Sequence, residues 1–189
     1  MSRQSLENSR GIRLLEPGLV VLVTSMYRSH PNVMTAAWVT PLGFDPPMIS
    51  IAVHPGRLTH EFISKSETFG LSIPTLDLSK AIHHCGVASG NDVDKFAVAG
   101  LTPEDPEEID APRIQECIAH IECGVIQRVT AADHDLFIAQ ILNASADDDY
   151  FRDSWLAEQE LPLVSHIAGN VYAGLTRGYG VTLDEDDDE

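Results

Sequence analysis

The chain has 189 residues and a formal net charge of −17 at pH 7, from 29 acidic and 12 basic residues. This length suits one domain with a real core, and the acidic surface argues against nucleic acid and anionic membranes as partners. No apolar run approaches the roughly 20 residues of a membrane span, and residues 1–16 lack the apolar centre of a secretion signal. The three cysteines, an odd number, argue against a disulfide framework, so we expect a cytoplasmic protein.

The first part of the chain is predicted to contain a polar leader followed by strands and turns. The leader is expected at residues 1–16. The apolar run LVVLVT at residues 19–24 predicts a buried strand. Residues 33–40 and 48–53 predict two more strands, which the proline- and glycine-rich residues 41–47 would join as an antiparallel pair.

The rest of the chain is predicted to contain short strands and three short helices. The helices are expected at residues 58–65, 77–87 and 93–99, and the strands at residues 69–73, 118–129, 136–144, 163–167 and 171–176. Residues 102–112 have the prolines and charges of a surface loop, residues 151–160 fit either a helix or a lid, and residues 181–189 predict a disordered acidic tail. About seven short strands with turns about every ten residues favour a mainly β (α+β) barrel with a few short helices.

Polar side chains lie at the ends of the strand pair formed by residues 33–40 and 48–53. Antiparallel pairing would bring residues 32–37 and 53–59 to the same edge, where small side chains let a flat ligand approach the backbone. The guanidinium of Arg57 and the hydroxyl of Thr59, in the first turn of the next helix, suit a phosphate. Cations are scarce in this chain, which has only three lysines, so Arg57 and Lys95, both close to Gly, Ser or Thr, are strong candidates for binding an anion.

Seven sequence motifs, in this order, resemble the flavin reductase-like, FMN-binding split-barrel family. That family includes flavoredoxins, ferric reductases and the reductase components of two-component monooxygenases. The motifs are NxMTAAW (residues 32–38), DPPxISIAV (45–53), RxTHEFI (57–63), FGLSIP (69–74), CGVASGNDVDKF (85–96), DHDLFIAQI (133–141) and PLVSHIAGNVY (162–172).

The resemblance implies an FMN-binding split β-barrel domain at residues 17–180, between the leader and the acidic tail at residues 181–189. It also implies FMN as cofactor, NAD(P)H as electron donor, and a homodimer with the FMN site at or near the subunit interface. Ser72 stands where the family often has Asn. The dinucleotide motif GxGxxG is also absent, and because the reductases of this family lack it too, this absence neither counts against flavin nor supports nicotinamide binding.

The same resemblance implies the roles of individual residues. Arg57 and Thr59 would bind the phosphate, and Ser89, Gly90 and Lys95 would bind the phosphate or the ribityl chain. The segment at residues 32–38 would contact the flavin ring, and Tyr172 would close the far side of the pocket. The complete set of implied cofactor-binding residues is Asn32, Met34, Thr35, Ala36, Ala37, Trp38, Val53, His54, Arg57, Leu58, Thr59, Ser89, Gly90, Asp94, Lys95 and Tyr172.

His134 is the implied catalytic residue. It matches the position where some reductases of the family carry a histidine near flavin and nicotinamide, and its expected role is to orient the donor. Each of these residues also has a purely structural interpretation. Arg57 and Lys95 would be solvated, Trp38 and Tyr172 would pack in the core, and His134 would make one hydrogen bond at a strand edge.

A metal site is not predicted. His83, His84 and Cys85 are adjacent, and Cys117 and Cys123 form a Cx5C pair, but neither spacing matches a usual zinc pattern. Cys85 lies in a motif that the resemblance places near the flavin, and a redox role for it competes with the commoner role of a buried free cysteine.

The function predicted from these observations is that of an FMN-dependent oxidoreductase. It would be either an NAD(P)H-dependent flavin reductase, which His134 favours, or a flavoredoxin-like electron carrier served by a redox partner protein. Two alternatives stay open: a non-catalytic flavin-binding module, and a split barrel that binds another ligand such as haem.

Overall fold

The computed structural model describes residues 5–16, 18–156 and 160–175. In these ranges the chain forms short helices and a mainly antiparallel set of strands. The helices are α1 (Asn8–Gly11), α2 (Leu58–Ser66), α3 (Ser79–Val87) and α4 (Lys95–Ala99). The strands are β1 (Gly18–Leu19), β2 (Val21–Tyr27), β3 (His30–Ala36), β4 (Val39–Phe44), β5 (Pro47–Val53), β6 (Thr68–Ile73), β7 (Pro103–Glu104), β8 (Arg113–Ile114), β9 (Ala119–Ala131), β10 (His134–Ala146), β11 (Val164–Ala168) and β12 (Val171–Gly174).

Seven strands form one antiparallel sheet in the order β3-β2-β6-β9-β10-β5-β4. The two edge strands, β3 and β4, follow each other in the chain and are separated only by Ala37 and Trp38. Because this link is so short, the two edges of the sheet must come together, and the sheet curls into a barrel. The backbone N–H of Ala52 donates to the carbonyl of Trp38 at 3.0 Å and holds the link against β5.

The barrel interior is the main hydrophobic core. Large side chains from α2 and the central strands fill it, among them Ile51, Ile63, Phe69 and Phe137, all of which are buried. A second apolar cluster lies where α3 and α4 cover β2 and β3. The predicted mainly β split barrel with a few short helices is therefore confirmed.

One strand prediction in this region was wrong in its pairing. Residues 33–40 do not form one strand, because β3 ends at Ala36 after pairing with β2, and β4 begins at Val39 and pairs with β5. The side chains in this stretch have similar strand propensity throughout, so nothing local marks the change of partner. Residues 32–37 nevertheless meet residues 53–57, because closure of the barrel brings them together.

The strand predicted at residues 118–129 is present with small shifts at its ends, whereas the one predicted at residues 136–144 is four residues longer in the structure. β9 and β10 have thirteen residues each, and their register contains bulges that let this long pair bend. They are followed by a compact turn in which Phe151 and Trp155 form a β-bridge. Residues 151–156 therefore form no helix, and residues 157–159 lie outside the described residues.

The predicted helices are present with small shifts at their starts. A 3-10 turn at Leu76–Leu78 precedes α3, and α4 begins at Lys95 after the Asp94 side chain caps it. The leader forms α1 and a 3-10 turn over residues 8–15, and the acidic tail at residues 181–189 lies outside the described residues. Among the described helices, none is long and apolar enough to cross a membrane.

The predicted surface loop at residues 102–112 is held to the barrel by a buried carboxylate. The carboxylate of Glu122 accepts hydrogen bonds from the backbone N–H groups of Glu107 at 2.9 Å and Glu108 at 2.6 Å. Such charge-assisted bonds satisfy a carboxylate that would otherwise be costly to bury. Together with the buried side chains of Ile109 and Ala111, they hold this acidic segment against the barrel.

Candidate functional site

The first functional candidate is a cavity of about 620 Å³ where the barrel closes. The end of β3, the link at residues 37–38, the end of β5 and the start of β10 form its walls. It is lined by Glu16, Met34, Thr35, Ala36, Ala37, Trp38, Ala52, Val53, His54, Gly56, Arg57, His134 and His166. We call it the broad cavity.

A second, narrow cavity of about 90 Å³ adjoins the broad one, since Met34, Gly56 and Arg57 line both. It lies between the first turn of α2 and the loop before α4. Its lining residues are Asn32, Met34, Gly56, Arg57, Leu58, Thr59, Ala88, Ser89, Gly90 and Lys95. The structure therefore brings together the predicted phosphate-binding residues, although up to 38 positions, from Arg57 to Lys95, separate them in the chain.

Two of the chain's few cations share the narrow cavity. Lys95 is buried, with 6% of its surface exposed, and its Nζ donates a hydrogen bond to the carbonyl of Cys85 at 2.9 Å. Burial lowers the pKa of Lys95, the neighbouring Cys85 opposes this, and the charge of Arg57 lowers it further. Among the described residues neither cation has a carboxylate partner, so an anionic ligand between them would relieve their repulsion.

The narrow cavity also contains an unpartnered hydrogen-bond acceptor. Asn32 is 4% exposed, and its Nδ2 donates to the Thr59 hydroxyl at 2.8 Å. Its Oδ1 is buried and has no hydrogen-bond partner in the described part of the chain. A buried acceptor of this kind is costly unless a donor reaches it, and a hydroxyl group of a ligand would be such a donor.

Helix α2 begins at the same cavity. In the described part of the chain no side chain caps its N-terminus, and of its first-turn N–H groups that of His60 donates to the carbonyl of Arg57, so those before it are the ones that could reach a ligand. A Cβ added at Gly90 would lie only 2.3 Å from Oδ1 of Asn32 and 2.9 Å from Cδ2 of Leu58. Glycine is therefore required at this position because the loop backbone approaches Asn32 so closely.

The broad cavity has an aromatic wall in place of buried charges. The rings of Trp38 and His134 lie 4.9 Å apart between centroids, and those of His54 and His134 lie 5.4 Å apart, edge to face. Nδ1 of His134 donates to the Asp133 carboxylate at 2.8 Å, and this hydrogen bond lowers the pKa of Asp133. With its Nδ1 engaged in this way, His134 is held in a defined orientation beside Trp38, and the wall can stack a flat ring.

The two cavities are held in place relative to each other by a polar contact behind them. Nε2 of His60, on α2, donates to the carboxylate of Asp135, on β10, at 2.8 Å. This bond, then one from Thr130, lowers the pKa of Asp135. The contact ties the helix that carries Thr59 to the strand that carries His134.

Not every predicted residue lines these cavities, and some lining residues were not predicted. Asp94 lies outside both, because its carboxylate accepts a hydrogen bond from the N–H of Ala97 and caps α4. Tyr172 lines a separate side cavity. Glu16 of the leader and His166 of β11 line the broad cavity although no role was predicted for them. His166 falls within a resembling motif, whereas only the tertiary structure brings Glu16 to the site.

The cysteines do not form a reactive or metal-binding centre. Cys85, Cys117 and Cys123 are buried and free, and burial raises the pKa of Cys85 to about 11. A thiol with this pKa is protonated at neutral pH, which disfavours the redox role considered for Cys85. Within residues 5–16, 18–156 and 160–175, no group of three or more histidine, cysteine or carboxylate side chains could hold a metal ion.

Comparison with known proteins gives a consistent result. The family model of the flavin reductase-like domain matches residues 14–167. An uncharacterised protein of Archaeoglobus fulgidus is 37% identical over 120 residues, which are 64% of this chain and 68% of that protein. An NADH-dependent FAD reductase of Streptomyces globisporus is 29% identical over 126 residues, covering 66% of this chain and 68% of its own. The flavoredoxin of Desulfovibrio vulgaris (Miyazaki F) superposes with a TM-score of 0.73 at 27% identity, over 100% of this chain and 96% of that one.

Proposed function

The chain belongs to the flavin reductase-like family, and on this premise we propose that it binds FMN and acts as a flavoprotein oxidoreductase. The observation that carries the proposal is the pairing of Arg57 and Lys95 in the narrow cavity, beside the unpartnered Oδ1 of Asn32. Two cations suit a phosphate, and the acceptor suits a hydroxyl of a polyol chain. FMN carries both groups next to a flat ring, for which the adjoining broad cavity has room.

Each part of the site would have a separate task. Arg57 and Lys95 would hold the phosphate together with the first turn of α2, and Oδ1 of Asn32 would accept a ribityl hydroxyl. The small side chains at residues 35–37 would let the ring approach the backbone. FMN, when bound, supplies a ring that takes up a hydride and passes electrons on.

We propose NAD(P)H as the electron donor. The aromatic wall of Trp38, His54 and His134 supports this, because it offers a stacking surface in the broad cavity. His134 would orient the nicotinamide. The Streptomyces relative, which uses NADH, supports the same proposal.

An electron carrier that receives electrons from a partner protein is the second candidate. The similarity to the Desulfovibrio flavoredoxin over nearly the whole of both chains favours it. The two candidates differ in one measurable respect, since only a reductase reacts directly with NAD(P)H.

Titration with FMN tests the cofactor proposal. We expect the purified protein to be yellow, or to take up FMN stoichiometrically with a change in flavin fluorescence. A colourless protein that leaves the fluorescence of added FMN unchanged would contradict the proposal, and a Soret band would indicate haem instead.

An anaerobic donor screen on the FMN-loaded protein separates the two activities. Rapid loss of flavin colour with NADH or NADPH is expected for the reductase. If neither donor bleaches the flavin while dithionite does, the protein is an electron carrier. If reduced redox proteins also fail to reduce the flavin, it is a binding module.

We further propose that the protein is a homodimer. Trp38 at the broad cavity is 42% exposed and Phe44, at the tip of the β4–β5 hairpin, is 99% exposed. We expect a partner subunit to cover them, because aromatic side chains are enriched at protein–protein interfaces. Sedimentation equilibrium tests this, and a monomer at micromolar concentration would argue against it.

A further inference from the structure

A third cavity, of about 200 Å³, opens beside the proposed flavin site. We call it the side cavity. Thr35, Ala36, Ala37 and His166 line both it and the broad cavity, so a ligand in one lies next to a ligand in the other. On its other side the walls come from α3 and from the β11–β12 hairpin.

The size of the side cavity limits what it can hold. An engineered protein cavity of about 150 Å³ accommodates benzene, so about 200 Å³ is enough for one six-membered ring with a small substituent. The three fused rings of a flavin need more space, which the broad cavity of about 620 Å³ provides. With FMN in the broad cavity, the side cavity is left for another molecule.

The polar groups of the side cavity come from residues that are distant in the chain. The hydroxyl of Tyr172 lies 3.2 Å from Nδ1 of His83. Nε2 of His166 donates to the carbonyl of Gly169 at 3.1 Å, and the rings of His166 and Tyr172 lie 5.4 Å apart. Burial raises the pKa of Tyr172, so its hydroxyl keeps its proton at neutral pH and remains a donor.

This donor is also held in place from behind. When His83 donates from Nδ1 to the phenol oxygen, the proton of Tyr172 is free for a ligand. The hydroxyl of Thr35 donates to the carbonyl of Ile82, next to His83, and fixes the shared wall against α3. A ring that enters the cavity thus meets the small side chains of the shared wall and the positioned hydroxyl of Tyr172.

We propose that the side cavity is a subsite for a second small molecule: one six-membered ring with an oxygen atom that accepts a hydrogen bond from Tyr172. His83 is the positioning residue for that hydroxyl. The inference rests on the proposed function, because the shared wall is what places this ring beside the flavin. The ligand class is therefore a monocyclic carbonyl compound, of a size to meet a bound flavin.

Fluorine NMR titration of the FMN-loaded protein tests the subsite. The probes are 4-fluoroacetophenone and 4-fluoro-α-methylstyrene, which have nearly the same shape, but only the first has the carbonyl oxygen. A single neutral hydrogen bond predicts that the ketone binds about 2- to 13-fold more tightly than the alkene. Equal affinities in the wild-type protein would overturn the proposal.

Variants assign the preference to Tyr172. Tyr172→Phe is expected to weaken binding of the ketone until its affinity equals that of the alkene. His83→Phe is expected to reduce the preference for the ketone, because the hydroxyl of Tyr172 loses its support. Tyr27→Phe is the matched control, since Tyr27 packs on Phe62 away from this cavity, and it should leave the preference intact. A preference that survives Tyr172→Phe would place the ketone elsewhere.

A cavity-filling variant assigns the location. A Cβ at Gly86 would make an ordinary contact of 3.5 Å with Thr35, so a larger side chain there would extend into the side cavity. Gly86→Leu is expected to abolish binding of both probes while FMN remains bound; Gly86→Ala, a smaller change, should weaken both. Unchanged binding of both probes in a folded Gly86→Leu protein would refute the location.

Failure of this inference is distinguishable from failure of the proposed function. If the protein takes up no FMN, the proposed function fails first, whatever the probes do. If FMN binds and bleaches normally but the ketone shows no preference, only the subsite fails.

Discussion

The narrow and the broad cavity adjoin each other but differ in how their chemistry is built. The narrow cavity is small, and it combines the buried Lys95 and the exposed Arg57 with an amide oxygen on Asn32 that has no partner among the described residues. The broad cavity is about seven times larger and is lined by aromatic rings, with Trp38 partly exposed to solvent.

This difference shows how affinity and turnover can be assigned to separate parts of one site. A buried lysine beside a second cation interacts strongly with an anion, so we expect the narrow cavity to determine which ligand is held. Stacking surfaces interact more weakly and less selectively, so a second ring can arrive and leave at the broad cavity. Substitutions in the two cavities should therefore change different measurements.

The largest expected effect is on FMN affinity at the narrow cavity. Lys95→Met removes a charge that would bond the phosphate, and a hydrogen bond to a charged group corresponds to about 10- to 150-fold in affinity. Riboflavin, which lacks the phosphate, should be affected much less. Lys80→Met, on the exposed side of α3, is the control. Equal losses for FMN and riboflavin would show that Lys95 does not face the phosphate.

The next effect tests the close approach at Gly90. Gly90→Ala would place a methyl group 2.3 Å from Oδ1 of Asn32, and such overpacking costs about 1–3 kcal/mol of unfolding free energy. Urea denaturation and FMN titration should both detect it. Gly86→Ala, whose Cβ would make only an ordinary contact, should leave the unfolding free energy unchanged or slightly higher. If Gly90→Ala and Gly86→Ala change the unfolding free energy equally, the close approach at Gly90 is contradicted.

A smaller effect is expected at the broad cavity. His134→Ala removes one ring of the aromatic wall, a contact of about 0.5–1.5 kcal/mol, and should weaken nicotinamide binding about 2- to 13-fold. FMN affinity should stay nearly constant. The measurement is the dependence of anaerobic flavin reduction on NADH concentration, with His30→Ala, at the start of β3, as control. If His134→Ala lowers FMN affinity without changing the NADH dependence of flavin reduction, His134 contacts the flavin and not the nicotinamide.

The smallest effect concerns the contact that joins the two cavities. The hydrogen bond from His60 lowers the pKa of Asp135, so the carboxylate stabilises the fold above its unfolded pKa of about 3.9. This contribution is lost as the pH falls through the lower, folded-state value. Asp135→Asn should therefore flatten the acid side of the stability curve below about pH 4, as followed by urea denaturation. Asp77→Asn, which changes an exposed carboxyl, should leave the stability curve unchanged. If Asp135→Asn also leaves the acid side of the curve unchanged, this would argue against the contact between His60 and Asp135.

Much of the site was predictable from the chain, but not its geometry. The scarcity of lysine pointed to Lys95, and the motif order pointed to Arg57 and Thr59, all of which line the narrow cavity. Asp94 was among the residues that the resemblance implied, yet its side chain caps the start of α4. At the start of a helix, side chains that are adjacent in the sequence point in different directions. A sequence motif does not contain this information.

Composition and local pattern by themselves determined the class of the fold, most helices and strands, and the family resemblance. These features depend on turn residues, apolar periodicity and ordered motifs, all of which act over a few residues. Only the tertiary structure decided that the chain changes its strand partner between β3 and β4, and that His83 meets Tyr172 from 89 positions away. It also decided that Oδ1 of Asn32 has no donor among the described residues. Such contacts depend on how the whole sheet closes, and strand propensity is nearly the same for every partner a strand could choose.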